Sequence, residues 1–425
     1  MFTIRKLMSN YYKYVFQILP IYFSLCSCFS QALSLKDALQ STLQNNPILK
    51  TESFNTSIAN TDIITAGIRP NFKLNNQTLM LVDAPYFAPS VPWVSNKNRQ
   101  DWWQLTKVIQ WPGQRKWKIA TSIKQSEIIK NNFTETERSV MLTVAEKYLE
   151  VWSGMKQVLI LKEAKENLDS LARVNKNKFL KGLVSETDYL RTEILSEECD
   201  IQISETNLDL QNNIRSLQLL MGTTDSITID TSMKIVELSF NLDSLLKDAL
   251  SQRPDILSSK SKIDYSLTNI KLQKRLAFPK LDFGLIWNPQ NTVQYIGFIA
   301  TVDIPVFDRN QGEVKKSFLM KDQYEQNFLA IKAQVNTEVI NSYDEFNNKK
   351  SNILKYRTIF SKTALILDDI RLAYSKGETD IIDFLEAQRS WIESKNYYID
   401  LLYKYYKSYV NLLYDAGKIN KLIME

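Results

Sequence analysis

The spacing of helix breakers limits this chain more than any other feature. No proline occurs from Gly113 to Arg253, a run of 141 residues, or from Val306 to Glu425, a run of 120. Proline removes a helical hydrogen bond and clashes with the preceding turn, so runs this long predict helices well beyond the usual few turns. At about 1.5 Å per residue, Gly113 to Gly182 spans roughly 100 Å as a helix and Gly182 to Gly222 roughly 60 Å. No compact single core accommodates such elements.

The breakers also repeat. Gly113, Gly182 and Gly222 are separated by 69 and 40 residues, and Gly312, Gly377 and Gly417 by 65 and 40. Pro47, Pro70 and Pro112 answer to Pro254, Pro279 and Pro305. The text around them agrees: Leu35-Lys36-Asp37-Ala38-Leu39 through Asn46-Pro47 parallels Leu242-Asp243-Ser244-Leu245-Leu246 through Arg253-Pro254. Lys181-Gly182 with Asp188-Tyr189-Leu190 likewise parallels Lys376-Gly377 with Asp383-Phe384-Leu385. The chain is an internal duplication, 32–225 and 241–425 joined by a linker at 226–240. Each repeat reads as helix, strand, loop, strand, long helix, break, helix.

Apolar positions such as Leu190, Ile194, Ile201 and Leu208, or Leu161, Leu168 and Leu171, fall near heptad spacing and predict coiled-coil contacts. The opening helix is expected over about 33–69. Tyrosines at 397, 398, 405, 406, 409 and 414 read as helix-packing residues. Strands are expected at about 72–82, 100–111, 280–288 and 293–304, the last two separated by a turn at Pro289-Gln290-Asn291. Leu281, Phe283, Leu285 and Trp287 alternate with Asp282, Gly284, Ile286 and Asn288, giving one apolar face. Aromatics cluster near strand ends, among them Trp93, Trp102, Trp103, Trp111, Trp287 and Tyr295. Such segments fit a membrane β-barrel, and equally two hairpins packed on the helices. Lys107 interrupts the apolar register of its strand and favours the second.

Composition excludes whole reaction classes. The 425 residues contain no histidine, so there is no Ser-His-Asp or Cys-His pair, no H-E-x-x-H zinc site and no histidine base. None of the ten glycines forms a dinucleotide or phosphate-binding loop. Arg5, Lys6 and Lys13 precede an apolar stretch from Val15 to Ser30, which reads as a signal peptide over 1–31. Removing these three cations, with no anions, takes the formal charge from +6 to +3 and leaves no case for nucleic acid. Leu25-Cys26-Ser27-Cys28 also reads as a lipoprotein box with Cys28 acylated. Cys199 then remains alone and is expected to be buried.

With these features the mature chain resembles the TolC family of outer-membrane efflux ducts. The duplicated order, the segments at Pro47 and Pro254 and the Gly-centred turns at 182 and 377 carry the likeness. Gln110-Trp111-Pro112-Gly113-Gln114-Arg115 and Ile304-Pro305-Val306-Phe307-Asp308-Arg309-Asn310-Gln311-Gly312 resemble the strand-to-helix junctions of the cobalt-zinc-cadmium resistance, CzcC-like branch. There Pro stops the strand ladder, Asp308 or Asn310 can cap the next helix, and Gly312 permits the sharp entry.

The resemblance implies a mainly α fold with a β-barrel membrane part. A homotrimer would share a twelve-stranded barrel in outer-membrane lipid and a twelve-helix periplasmic tunnel, with a belt near 225–240. It implies a passive exit duct of a tripartite system, without catalysis or cofactor, that conducts metal cations or small toxic compounds. Its partners would be a periplasmic adaptor protein and an inner-membrane pump of the RND type. Asp383 and Glu386 would ring the pore entrance. Three residues apart, they share a helix face, and threefold symmetry gathers six carboxylates. Thr187, Asp188 and Tyr374 would hold the tunnel closed, although the family's arginine of this latch is here Thr379. Gly182, Leu183, Gly377 and Glu378 would form tips that meet the adaptor. No metal-capturing residues are expected. The outer-membrane component of a type I protein secretion system is the alternative within transport, and a coiled-coil structural protein is the alternative outside it.

Overall fold

The computed structural model describes residues 32–232, 239–290 and 293–424. The signal peptide with Cys26 and Cys28, Asn291 of the second hairpin turn and linker residues 233–238 lie outside these. The first repeat runs α1 (Leu35–Asn45), α2 (Pro47–Gly67), β1 (Phe72–Met80), β2 (Arg99–Ile109), α3 (Gln114–Leu180) and α4 (Glu186–Met221). The second runs α5 (Leu242–Gln252), α6 (Pro254–Leu276), β3 (Leu281–Gln290), β4 (Val293–Val302), α7 (Gln311–Lys376) and α8 (Ile381–Asp415), before a last turn α9 (Lys421–Met424). The two long helices hold 67 and 66 residues and their successors 36 and 35, so the duplication extends to element length. Among the described residues no helix is long and apolar enough to cross a membrane.

One helix was expected over about 33–69, and two are present. Asn46 sits at φ −56°, ψ 126°, and Arg253 takes the same part in the second repeat at φ −63°, ψ 129°. Each precedes a proline, which pushes its neighbour out of the helical region and then serves as first residue of the next helix. The strand-to-helix junctions also differ from expectation. Gly312 lies inside α7, and the turn falls instead on Asn310, with φ 57°. Asn310 is held by Asp308, whose Oδ1 accepts its N–H at 2.8 Å, and by donating to the Gln273 carbonyl at 2.9 Å.

The chain divides into two compact units, each drawing on both repeats. One takes the residues up to Pro47 with Arg138–Asn241 and Asn341–Glu425; the other takes Ile48–Glu137 and Leu242–Ile340.

The second unit contains the sheet, antiparallel in the order β1-β2-β3-β4. Directly opposed residues share a face, so the register sorts the side chains. One face carries Phe72 and Leu74, Trp103 and Leu105, Phe283, Leu285 and Trp287, with Ile296 and Phe298, all exposed. The other carries Lys73, Asn75, Gln77, Gln104, Thr106, Asp282 and Asn288. Lys107 belongs to the apolar face, and its ammonium lies 4.4 Å from the centre of the Phe72 ring, so its stem runs over apolar surface. Lys73 and Asp282 pair at 3.4 Å on the polar face. Below the sheet's sequence ends, Arg253 is nearly fully buried and bridges Asp255 and Glu338, both at 2.7 Å.

In the first unit the helices lie in the order α4-α3-α8-α7. Lys165 of α3 reaches Asp200 of α4 at 2.8 Å, Lys407 of α8 reaches Glu146 of α3 at 3.1 Å, Tyr356 of α7 meets Tyr397 of α8 edge to face, and Phe360 of α7 stacks on Tyr398 of α8. The tyrosines of α8 are thus packing residues. The best-buried side chains, Tyr148, Trp152, Leu217, Leu412 and Leu413, gather where chain ends meet. There Leu33 bonds Thr228 and Asp230 through its backbone, Tyr148 donates to the Leu33 carbonyl at 2.9 Å, and Lys36 donates to the Met424 carbonyl at 3.4 Å.

Gly284 marks the tightest place in the sheet. A Cβ there would stand 2.1 Å from the Leu105 carbonyl oxygen, whereas at Gly297 the nearest atom is 3.4 Å away. Gly284→Ala should therefore lower the thermal unfolding midpoint measurably, with a cost of about 1–3 kcal/mol from overpacking. Gly297→Ala should stay close to wild type.

Candidate functional site

Both long helices end in the same turn. Gly182 (φ 68°) and Gly377 (φ 78°) take the left-handed region. After the first, Leu183 N–H donates to the Lys178 carbonyl at 2.9 Å; after the second, Glu378 N–H donates to the Ala373 carbonyl at 2.9 Å. These six-to-one bonds are Schellman closures, and a Cβ at either glycine would meet nothing within 4 Å. The glycines serve backbone conformation, not space. Gly182, Leu183, Gly377 and Glu378 are all exposed.

The next helices are capped alike. Ser185 Oγ accepts from Asp188 N–H at 3.1 Å and donates to the Asp188 carboxylate at 2.7 Å. Asp380 accepts from Asp383 N–H at 3.0 Å, and Thr379 donates to the Asp383 carboxylate at 2.6 Å. Both acids thus occupy the third position of a capping box. Thr379, which stands where the resemblance places an arginine, fixes the Asp383 side chain.

Of the three expected closure residues, Tyr374 is buried, Asp188 half-buried and Thr187 exposed. Asp188 and Tyr374 line one cleft of about 520 Å³, but the Tyr374 hydroxyl does not donate to Asp188. It donates to Asn175 Oδ1 of α3 at 2.6 Å, and Asn175 is fully buried. The Asp188 carboxylate accepts from Ser185 instead. The Tyr374 ring packs on Phe384 at 5.5 Å within a cluster of Leu171, Ile381 and Phe384, and Lys178 stands 4.6 Å from its centre. Burial pushes the phenol above its ordinary pKa, and the charge of Asp188 adds to this.

Sequence reasoning missed Asn175. The signal was present, because Leu161, Ala164, Leu168 and Leu171 form the buried stripe of α3 and Asn175 occupies its next turn. An amide in an apolar stripe calls for a partner.

Asp383 and Glu386 are both exposed on α8, on one side of the helix, with Phe384 and Ala387 turned into the core. Glu386 is not a free charge, because Arg389 lies 2.8 Å from it. This second missed residue was readable as an i, i+3 pair. Among the described residues no group of His, Cys, Asp or Glu could hold a metal ion. Cys199 is buried, and burial raises its thiol pKa, which slows its reaction with electrophiles.

Comparison with known proteins agrees with this architecture. Residues 245–417 match the outer membrane efflux protein family. The cobalt-zinc-cadmium resistance protein CzcC of Cupriavidus metallidurans is 18% identical over 318 residues, covering 72% of this chain and 74% of its own. The proteases secretion protein PrtF of Dickeya chrysanthemi is 19% identical, covering 95% and 92%. A crystal structure of CusC superposes with a TM-score of 0.75 at 17% identity over 90% of this chain and 92% of its own. The matched second repeat, the relatives and the duplicated helix-strand-strand-helix fold make this chain similar to outer membrane efflux proteins.

Proposed function

We propose that this chain is one protomer of a trimeric exit duct in the outer membrane, which passes small toxic solutes or metal cations out of the periplasm without chemistry of its own. The sheet carries this reading. It has four strands, one apolar face and two unpaired edges, β1 and β4. A membrane barrel needs about eight strands or more and tolerates no open edge, so twelve strands from three copies satisfy both conditions. The first unit supports association as well. Its outer helices present apolar stripes to solvent, Leu190, Ile194, Ile201 and Leu208 on α4 and Ile359, Ile366, Leu365 and Leu372 on α7. Two different edges on one protomer suit a head-to-tail ring.

The relatives supply the setting. CzcC is by name a cobalt-zinc-cadmium resistance protein, which favours a tripartite system with an adaptor and an RND-type pump as partners. In this reading Gly182, Leu183, Gly377 and Glu378 meet the adaptor, and Asp383 and Glu386 face the entrance. The likeness to PrtF favours a second reading, the outer-membrane component of a protein secretion system. Growth of a deletion strain on metal salts and dyes, set against its secreted protein profile, separates the two.

Closure is assigned to Tyr374 and Asn175 rather than to Tyr374 with Thr187 and Asp188. Their bond ties α3 to α7, and each copy contributes one. Asp188 acts through its charge on the shared cleft and through the cap of α4.

The purified protein should be a trimer that needs detergent; a monodisperse, detergent-free monomer in mass measurements would sink the duct.

For the entrance, Asp383→Asn should reduce the cation preference of the reconstituted channel more than Glu386→Gln does, because Arg389 already offsets the latter. The difference should shrink in 1 M salt, where screening acts within about 3 Å. Equal effects, or none, would return both residues to an ordinary solvated face.

For closure, Asn175→Leu leaves a buried hydroxyl without its acceptor and should raise single-channel conductance in the absence of adaptor, with a cost of about 1–3 kcal/mol to the closed form. Tyr374→Phe should act in the same direction. The double variant should lose less than the sum of the two, because removing both partners leaves no orphaned group. The raised Tyr374 pKa fixes the pH dependence. The bond is fully present below the ordinary tyrosine value of about 10 and is lost only as pH rises through the higher folded value. Titration of this phenol should therefore leave conductance constant from neutral pH up to about 9.

A further inference from the structure

Over α3, between α4 and α8, the first unit holds a groove of about 800 Å³. Its walls are apolar, with Leu161 and Leu168 from α3, Leu195 from α4, and Leu385 and Ile392 from α8. Gln388 lines it at 2% exposure, and neither its Oε1 nor its Nε2 has a hydrogen-bond partner. Two turns along α8, Asn396 also lines the groove, and its Oδ1 is unpartnered. Buried amides are nearly always satisfied, so a fully orphaned donor and acceptor beside an open apolar space point to a missing partner.

The rim narrows the chemistry. Glu198, Glu386 and Glu393 face Arg191 and Arg389, and Arg389 is already engaged by Glu386 at 2.8 Å and Glu393 at 4.0 Å. These charges nearly balance, so the groove does not select by charge. Its volume falls within the roughly 300–1,000 Å³ of small-molecule sites, which are apolar with a few convergent polar groups. A bare metal ion would find no ligand set here. Of the apolar stripes that remain for a neighbouring copy, the one on α7 lies outside this groove, and of the one on α4 only Ile194 lines it.

We propose that the groove is a contact site for a small, uncharged amphipathic solute. An apolar body rests on the leucines, and a head that both donates and accepts, such as a carboxamide, pairs with Gln388. This rests on the exit-duct reading, because Glu386 and Arg389 of the rim share the α8 surface assigned to the entrance. It deepens that reading by giving the solute class: organic amphiphiles hold to this wall and metal ions do not.

Chloramphenicol, an aromatic solute with a neutral amide, is a suitable probe. Equilibrium dialysis against the purified trimer, with empty micelles subtracted, should give saturable binding at one site per chain. Gln388→Leu, which keeps the volume and removes both polar atoms, should weaken it about tenfold or more. Leu195→Trp, which fills the groove, should abolish it. Occupancy should also slow alkylation of Cys199, which lines the groove, by N-ethylmaleimide in the wild-type protein. Zinc ions should neither bind there nor protect Cys199. A trimer that conducts in bilayers yet shows no saturable binding overturns the groove and leaves the duct intact, as does undiminished binding by Gln388→Leu or Leu195→Trp. A protein that forms no channel overturns the duct itself.

Discussion

Two rows of unpaired backbone groups, along β1 and β4, constrain everything else in this molecule. A four-stranded sheet cannot bond its own edges together, and hydrocarbon offers no water to satisfy them. The apolar face formed by Phe72, Leu74, Leu105, Phe283, Leu285 and Phe298 suits that solvent, but the edges do not. The association proposed above would pair these edges between copies. The helices of the first unit likewise end in two unlike apolar borders, α4 and α7, that no element among the described residues covers.

Duplication gives such a chain its parts economically. The two repeats match in element order and nearly in length, yet neither compact unit is a repeat. Each unit is assembled from both halves of the sequence, with α3 and α7 passing from one to the other. The halves have also diverged where polar groups settle local geometry. Ser185 caps α4 and engages Asp188, whereas Asp380 caps α8 and Thr379 engages Asp383. The same turn therefore leaves one acid beside a tyrosine and the other on an exposed helix face.

Much of this could be read from the residues alone, because breaker spacing and periodicity act over long stretches. The long helices, the glycine turns at 182 and 377 and the four strands follow from proline, glycine and alternation, and the strand ends moved by only one or two residues. The break at Asn46-Pro47 was missed because helical pattern continues on both sides, and only the dihedral restriction before proline interrupts it. Site residues were harder. Asp188 and Tyr374 do share a cleft, but the phenol takes its acceptor from α3, at Asn175, rather than from α4. Asn175 lies 199 positions from Tyr374, and no local pattern encodes that pairing. The role of Gly284 depends on the approach of a neighbouring strand and is equally invisible in sequence.

The meeting of chain ends in the first unit bears on biogenesis. Leu33 is bonded to Thr228 and Asp230, and Lys36 to the Met424 carbonyl 388 residues away. A polypeptide threaded through a membrane from its amino end releases these partners in order, with Met424 among the last. The Lys36–Met424 contact therefore cannot form until residue 424 has crossed, whereas Leu33 can meet Thr228 and Asp230 once residue 230 has emerged. Contacts of such long sequence separation form slowly and leave apolar surface uncovered meanwhile.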